Sequence, residues 1–169
     1  MSALGERIAG LDRGVYDRIR AREAHEAAGA EPTAAGFDSL RGSKYCLLVS
    51  FRRSGEPVPT PVWFGLDAQG AVYIQTEAQA GKVKRIRADP RVRVAPSTAR
   101  GKPTGPLAAG RARVLPAQDA ERAERALRAN YGLGRRLYER IFSAPLTSVY
   151  LEVTPEPAAG AGAVEGGAQ

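Results

Sequence analysis

The hydrophobic pattern changes period several times along this chain, and each change predicts an element. Leu4, Ile8, Leu11, Val15 and Ile19 recur at steps of three or four, with charges between them. That spacing predicts an amphipathic helix over residues 4–28, weakened by Gly10 and Gly14. A small-residue linker containing Pro32 fills 27–36, and 37–42 has the composition of a lead-in turn. The continuous apolar run 45–51 predicts a buried strand, and 52–56 (RRSGE) a hairpin turn. Residues 58–66 predict a second strand, although Pro57, Pro59 and Pro61 confine it to an edge or a bulge. Such an irregular strand could expose the backbone from Thr60 to Trp63 to a ligand.

A turn at 67–70 leads into a third strand, 71–76. Gly81 opens a basic helix, 81–88, which Pro90 stops. Strands follow over 91–97 and 108–115, separated by the basic loop from Arg100 to Pro106. Helices over 117–130, closed by Tyr131-Gly132, and over 133–142 precede a last strand, 146–153. The Pro/Gly/Ala-rich segment 155–169 predicts a disordered tail. The pattern therefore predicts a mostly β fold: a six-stranded antiparallel barrel with flanking helices. The domain organisation is a helical extension and linker over 1–36, the barrel over 37–154, and the tail.

Composition narrows the chemistry. The chain has 169 residues, with one cysteine and one histidine. Cys46, in an apolar strand, is inert and His25 lies on a helix surface, so no His/Cys zinc site, metalloprotease helix or Ser–His–Asp triad can be assembled, and no metal site is expected. Neither a signal peptide nor a membrane span is evident, and the expected location is the cytoplasm. The net charge of +7 attracts anions. Nucleic acid is disfavoured as a partner because aromatics total only 7%.

The anion is best placed at the helix over 81–88. A helix start carries unpaired backbone N–H groups and the positive end of the dipole. Lys82 and Arg85 lie three apart, on one face. They form either a phosphate clamp or a solvated basic stripe. Lys84 and Arg87 face away, into solvent or toward an acidic tail. Thr76, just before the loop, could bond the same phosphate or merely its own backbone. Trp63 and Phe64 could supply a flat apolar wall, or Trp63 could be a core or dimer-interface residue. A phosphate grip beside such a wall suits a phosphorylated ring system such as a flavin.

Four segments carry a resemblance: Lys44-Tyr45 with Phe51-Arg52-Arg53 and Gly55; Thr60-Pro61-Val62-Trp63; Thr76-Glu77 with Gly81-Lys82-Val83-Lys84-Arg85; and Asp89-Pro90-Arg91-Val92 leading to Ala95-Pro96 and Arg100-Gly101. As a set, over about residues 37–154, they resemble the split-barrel flavin and deazaflavin oxidoreductases of the pyridoxamine-phosphate-oxidase-like group, in the branch that binds coenzyme F420. The resemblance implies a homodimer with two cofactor sites at its interface. It implies that Thr60, Pro61, Val62 and Trp63 face the ring, and that Thr76, Gly81, Lys82, Val83 and Arg85 hold the phosphate side. The implied reaction is hydride transfer from reduced F420 to an unsaturated small-molecule acceptor, with FMN as the alternative cofactor and non-catalytic cofactor binding as the alternative role. No catalytic side chain is implied. The chain departs from the pattern at Pro96-Ser97-Thr98, where relatives often carry a cysteine.

Overall fold

The computed structural model describes residues 22–132 and 147–156. Among them are three helices, α1 (Arg22–Ala28), α2 (Gly81–Ala88) and α3 (Ala120–Tyr131). The strands are β1 (Tyr45–Phe51), β2 (Pro57–Val62), β3 (Gly65–Leu66), β4 (Val72–Glu77), β5 (Arg91–Ser97), β6 (Ala108–Val114) and β7 (Ser148–Pro155). They form one sheet in the order β2-β1-β5-β6-β7-β4-β3, and every neighbouring pair is antiparallel. The sheet curls into a split-barrel-like half-barrel around the largest apolar cluster, which includes Leu48, Val62, Phe64, Ile74, Val94 and Leu151. Helix α2 beds Val83 and Ile86, three apart, into that cluster. Outside the curl, Ala24 and Ala28 of α1 pack on Leu47 and Val49, and Ala123 and Ala126 of α3 group with Tyr73 and Leu115. The described part of the N-terminal extension is thus seated on the barrel. No described helix is long and apolar enough to cross a membrane.

The strand count corrects the sequence expectation: seven strands stand where six were expected. The single strand expected over 58–66 is two, and β2 and β3 lie at opposite ends of the sheet. Helix α3 causes the break. The Phe64 N–H donates to the Tyr131 hydroxyl at 3.0 Å, and Asn130 Nδ2 donates to the Phe64 carbonyl at 2.9 Å. The backbone at Phe64 is therefore satisfied by side chains of α3 rather than by a ladder. Gly65 then lies directly against the helix: a Cβ there would come within 2.3 Å of the Ala126 carbonyl carbon. β7 runs through Pro155, so the first residue of the expected tail belongs to the sheet. The helix expected over 133–142, and most of the one expected over 4–28, lie outside the described residues.

A polar cluster fastens α3 to the β3–β4 turn. Asp67 Oδ1 accepts the N–H groups of Gln69 and Ala71 at 3.0 and 2.9 Å, and its Oδ2 accepts Arg122 at 2.9 Å. The hydroxyl of fully buried Tyr73 lies 3.1 Å from both Asp67 and Glu152. Burial pushes the Asp67 carboxyl up. The bonds from Arg122, the Ala71 N–H and Tyr73 outweigh it and hold the group below the usual aspartate range. A depressed carboxyl stabilises the fold above its unfolded pKa, and that contribution is lost as pH falls through the native value. Asp67→Ala should therefore cost about 2 kcal/mol near neutral pH, where a half-buried, hydrogen-bonded charge is removed. In denaturant titrations the gap from wild type should narrow below about pH 4. An unchanged gap at pH 3 would show that the ionised carboxylate is not the stabilising species.

Candidate functional site

Helix α2 carries donors across the gap between β4 and β1. Its N-cap position, Ala80, provides no side-chain cap. The Val83 and Lys84 N–H groups turn back to the Ala80 carbonyl, at 3.0 and 3.3 Å. Gly81 is exposed, and its N–H has no backbone partner among the described residues, at the positive end of the helix. Lys82 Nζ donates to Thr76 Oγ1 at 3.0 Å, which ties the helix to the end of β4. Arg85 Nε donates to Ser50 Oγ at 2.9 Å, which ties it to β1.

The Arg85 side chain points back toward the helix start, as long side chains on helices do. A Cβ at Gly81 would lie only 3.0 Å from Arg85 Nη1, so the glycine makes room for the guanidinium beside the first turn. Thr76, Lys82, Gly81 and Arg85 thus form one run of hydroxyl, ammonium, amide and guanidinium donors, with the buried Ser50 hydroxyl behind Arg85. Such a set complements a phosphate, and a bidentate guanidinium adds directional fit.

The structure places the other expected residues as follows. Val83 is fully buried and contributes its side chain to the core. Lys84 and Arg87 are exposed. With Arg52, Arg53 and Ser54 of the β1–β2 turn, Lys84 and Arg85 line an open basic groove of 480 Å³ next to the phosphate-type donors. Val62 is buried in the core, whereas Thr60 and Pro61 are half-buried. Thr60 pairs with Leu48 and Val58 with Ser50, so their side chains share the face of β1 that carries the Arg85 partner.

Trp63 is held among aromatics. It stacks on Tyr131, with ring centroids 4.5 Å apart and planes 15° from parallel, and meets Tyr45 edge-on at 6.1 Å. Lys44 Nζ lies 5.5 Å above the Tyr131 ring and donates to the Asn130 carbonyl at 2.6 Å. The Tyr131 hydroxyl donates to the Lys44 carbonyl while accepting the Phe64 N–H, and burial pushes its pKa well up. With both its proton and a lone pair committed, Tyr131 fastens the end of α3 to the β2–β3 passage rather than serving as a proton source. Cys46 is fully buried, which pushes its thiol well up and keeps it protonated. Arg100 is exposed, and Lys102 pairs with Glu23 at 3.4 Å.

Sequence reasoning missed Ser50. The signal was present: it is the one serine within the apolar run of β1, it is fully buried, and its hydroxyl needs a partner there.

A family model described as pyridoxamine 5'-phosphate oxidase matches residues 33–156. Among solved structures, the fold is similar to that of a FAD-binding protein from Mesorhizobium loti, with a TM-score of 0.51, 17% identity and coverage of 70% of this chain and 83% of that one. It is similar to HutZ, a heme storage protein from Vibrio cholerae, with a TM-score of 0.50, 15% identity and coverage of 68% and 82%. A conserved hypothetical protein from Mycobacterium tuberculosis gives a TM-score of 0.52, 16% identity and coverage of 75% and 86%. At these identities the likeness is one of fold. The sequence matches none of the curated proteins.

Proposed function

From the premise that this chain belongs to the pyridoxamine 5'-phosphate oxidase family, we propose that it is an oxidoreductase that uses the deazaflavin coenzyme F420 to reduce an unsaturated small-molecule acceptor. The observation that carries the reading is the donor run from Thr76 through Lys82 and Gly81 to Arg85, which Ser50 holds in place. Its chemistry fits the phosphate of a flavin-type cofactor, and the ring would then lie along Thr60, Pro61, Val62 and Trp63. When bound, the cofactor supplies the hydride chemistry at its ring.

The chain's own residues do the rest. Lys82 and Arg85 neutralise the phosphate, Thr76 and Ser50 fix the two cations, and the Gly81 N–H faces the same anion. Buried Val62 and the Trp63–Tyr131 stack give the ring region a rigid, apolar backing that limits water. By the resemblance, a second copy of the chain completes each pocket in a homodimer.

FMN is the second reading, because the grip itself is the size of one phosphate. The adjoining groove, with Arg52, Arg53 and Lys84, favours the longer and more anionic deazaflavin. Fluorescence titration of the purified protein with F420 and with FMN separates them: F420 should bind at least tenfold more tightly. Lys82→Ala should weaken either ligand by roughly tenfold or more, as expected for the loss of one charged hydrogen bond. Equal, weak binding of both, unmoved by the substitution, would remove the site. Binding without turnover across a panel of conjugated acceptors would instead make the chain a cofactor carrier.

A further inference from the structure

The three prolines of β2 share one parity, and the register shows what that does. Among the described strands β2 is the outermost on its side of the sheet, with β1 its one strand neighbour. Pro57, Pro59 and Pro61 stand opposite Phe51, Val49 and Leu47; Val58, Thr60 and Val62 stand opposite Ser50, Leu48 and Cys46. In an antiparallel pair, alternate residue pairs exchange both backbone hydrogen bonds, and the pairs between them exchange none. Proline has no N–H, so the proline pairs are the unbonded set.

Neighbouring contacts keep the same alternation. Just past the strand ends, the Arg52 N–H donates to the Glu56 carbonyl at 2.9 Å. Across β1, Pro96 stands opposite Cys46, and its carbonyl accepts the Thr104 N–H at 2.8 Å, on the side away from β1. The carbonyls of Pro57, Pro59 and Pro61 therefore point outward from the free edge of β2, about 6.8 Å apart at the usual rise per residue. No N–H lies between them on that side.

An ordinary free edge alternates donors with acceptors and recruits another strand. This one offers acceptors only. A strand laid beside it would find none of the N–H donors its own carbonyls need, so the edge is closed to pairing and open to a donor. We infer that this acceptor-only edge orients the cofactor ring by taking the ring's imide N–H on one proline carbonyl, the imide being the N–H that flavins and deazaflavins both carry between two ring carbonyls. The inference rests on the proposed reading that the ring lies along Thr60–Trp63, and adds the contact that sets its orientation. The spacing suits it: the two flanking ring carbonyls fall in the gaps between edge carbonyls rather than against them. The placement suits it too. Val58 pairs directly with Ser50, which holds Arg85, so a ligand gripped at α2 by its phosphate reaches the β2 edge without leaving that face.

The test uses whichever of FMN and F420 binds the purified protein more tightly, beside its derivative methylated at the imide nitrogen. Methylation should weaken binding at least tenfold. With the imide nitrogen labelled with 15N, the bound ligand should show an N–H proton shifted downfield and exchanging with water much more slowly than in the free ligand. Pro61→Ala, which restores an N–H to the edge, should shift that resonance. Equal binding of the methylated derivative, or an imide proton exchanging as fast as in free ligand, overturns the inference. If Lys82→Ala still weakens the parent ligand in that case, the phosphate site survives and only the orienting contact is lost. If neither FMN nor F420 binds saturably, both readings fall.

Discussion

Gly65→Ala should destabilise the protein by about 3 kcal/mol or more, the largest loss expected from adding a single methyl group to any of the described glycines. The added Cβ would sit 2.3 Å from the Ala126 carbonyl carbon, 2.4 Å from the Leu127 nitrogen and 2.6 Å from the Ala126 oxygen. All three are backbone atoms of α3, so no side chain can swing aside and the helix itself must retreat. That retreat would pull Leu127, which is fully buried, out of its packing, and would stretch the bonds from Asn130 and Tyr131 to Phe64. Gly36→Ala is the control, because nothing lies within 4 Å of its Cβ position and its backbone angle is ordinary. It should be neutral or stabilise by a few tenths of a kcal/mol through the unfolded chain. Urea midpoints for the two variants decide the matter. A Gly65→Ala midpoint within experimental error of wild type would mean that α3 is not anchored on the β2–β3 passage as described.

That passage is also where the sequence was least legible. Residues 58–66 carry the apolar content of one strand, and nothing local says that they divide. The break depends on Asn130 and Tyr131, more than sixty residues away, whose side chains satisfy the backbone at Phe64. A long-range side-chain contact of this kind leaves no periodicity in the strand it interrupts. By contrast, β1, β5 and α2 were readable to the residue. The apolar run of β1, the alternation of β5, and the Gly81 start with its Pro90 stop are local signals set by steric and burial preferences.

The site shows the same division. That Lys82 and Thr76 lie close together was legible, because a cation at a helix start, one short loop beyond a strand end, has few other places to be. Trp63 was ambiguous in the sequence, and its stack on Tyr131 could not be read there. The prolines of β2 were visible as an edge signal. Their common parity acquired meaning only with the register to β1.

Arg85→Leu should separate the phosphate from the ring in binding. In the wild type Arg85 is oriented by Ser50, whose hydroxyl accepts from Nε, and its Nη1 lies beside Gly81 at the helix start. Charge-assisted bonds of this kind contribute about 1.5–3 kcal/mol each, or roughly 10- to 150-fold in affinity. Loss of Arg85 should therefore weaken FMN by about that factor. Riboflavin, which has the same ring and no phosphate, should change by less than about threefold, since the ring contacts are untouched. Arg85→Lys should recover only part of the loss, because an ammonium cannot bond Ser50 and a phosphate with the same fixed fork. Ser50→Ala should fall between, since the guanidinium keeps its charge and loses its orientation. Isothermal titration of the four proteins against both ligands reads all of this at once. If FMN and riboflavin weaken together in Arg85→Leu, the guanidinium is acting on the fold or on the ring, and the phosphate must be sought elsewhere.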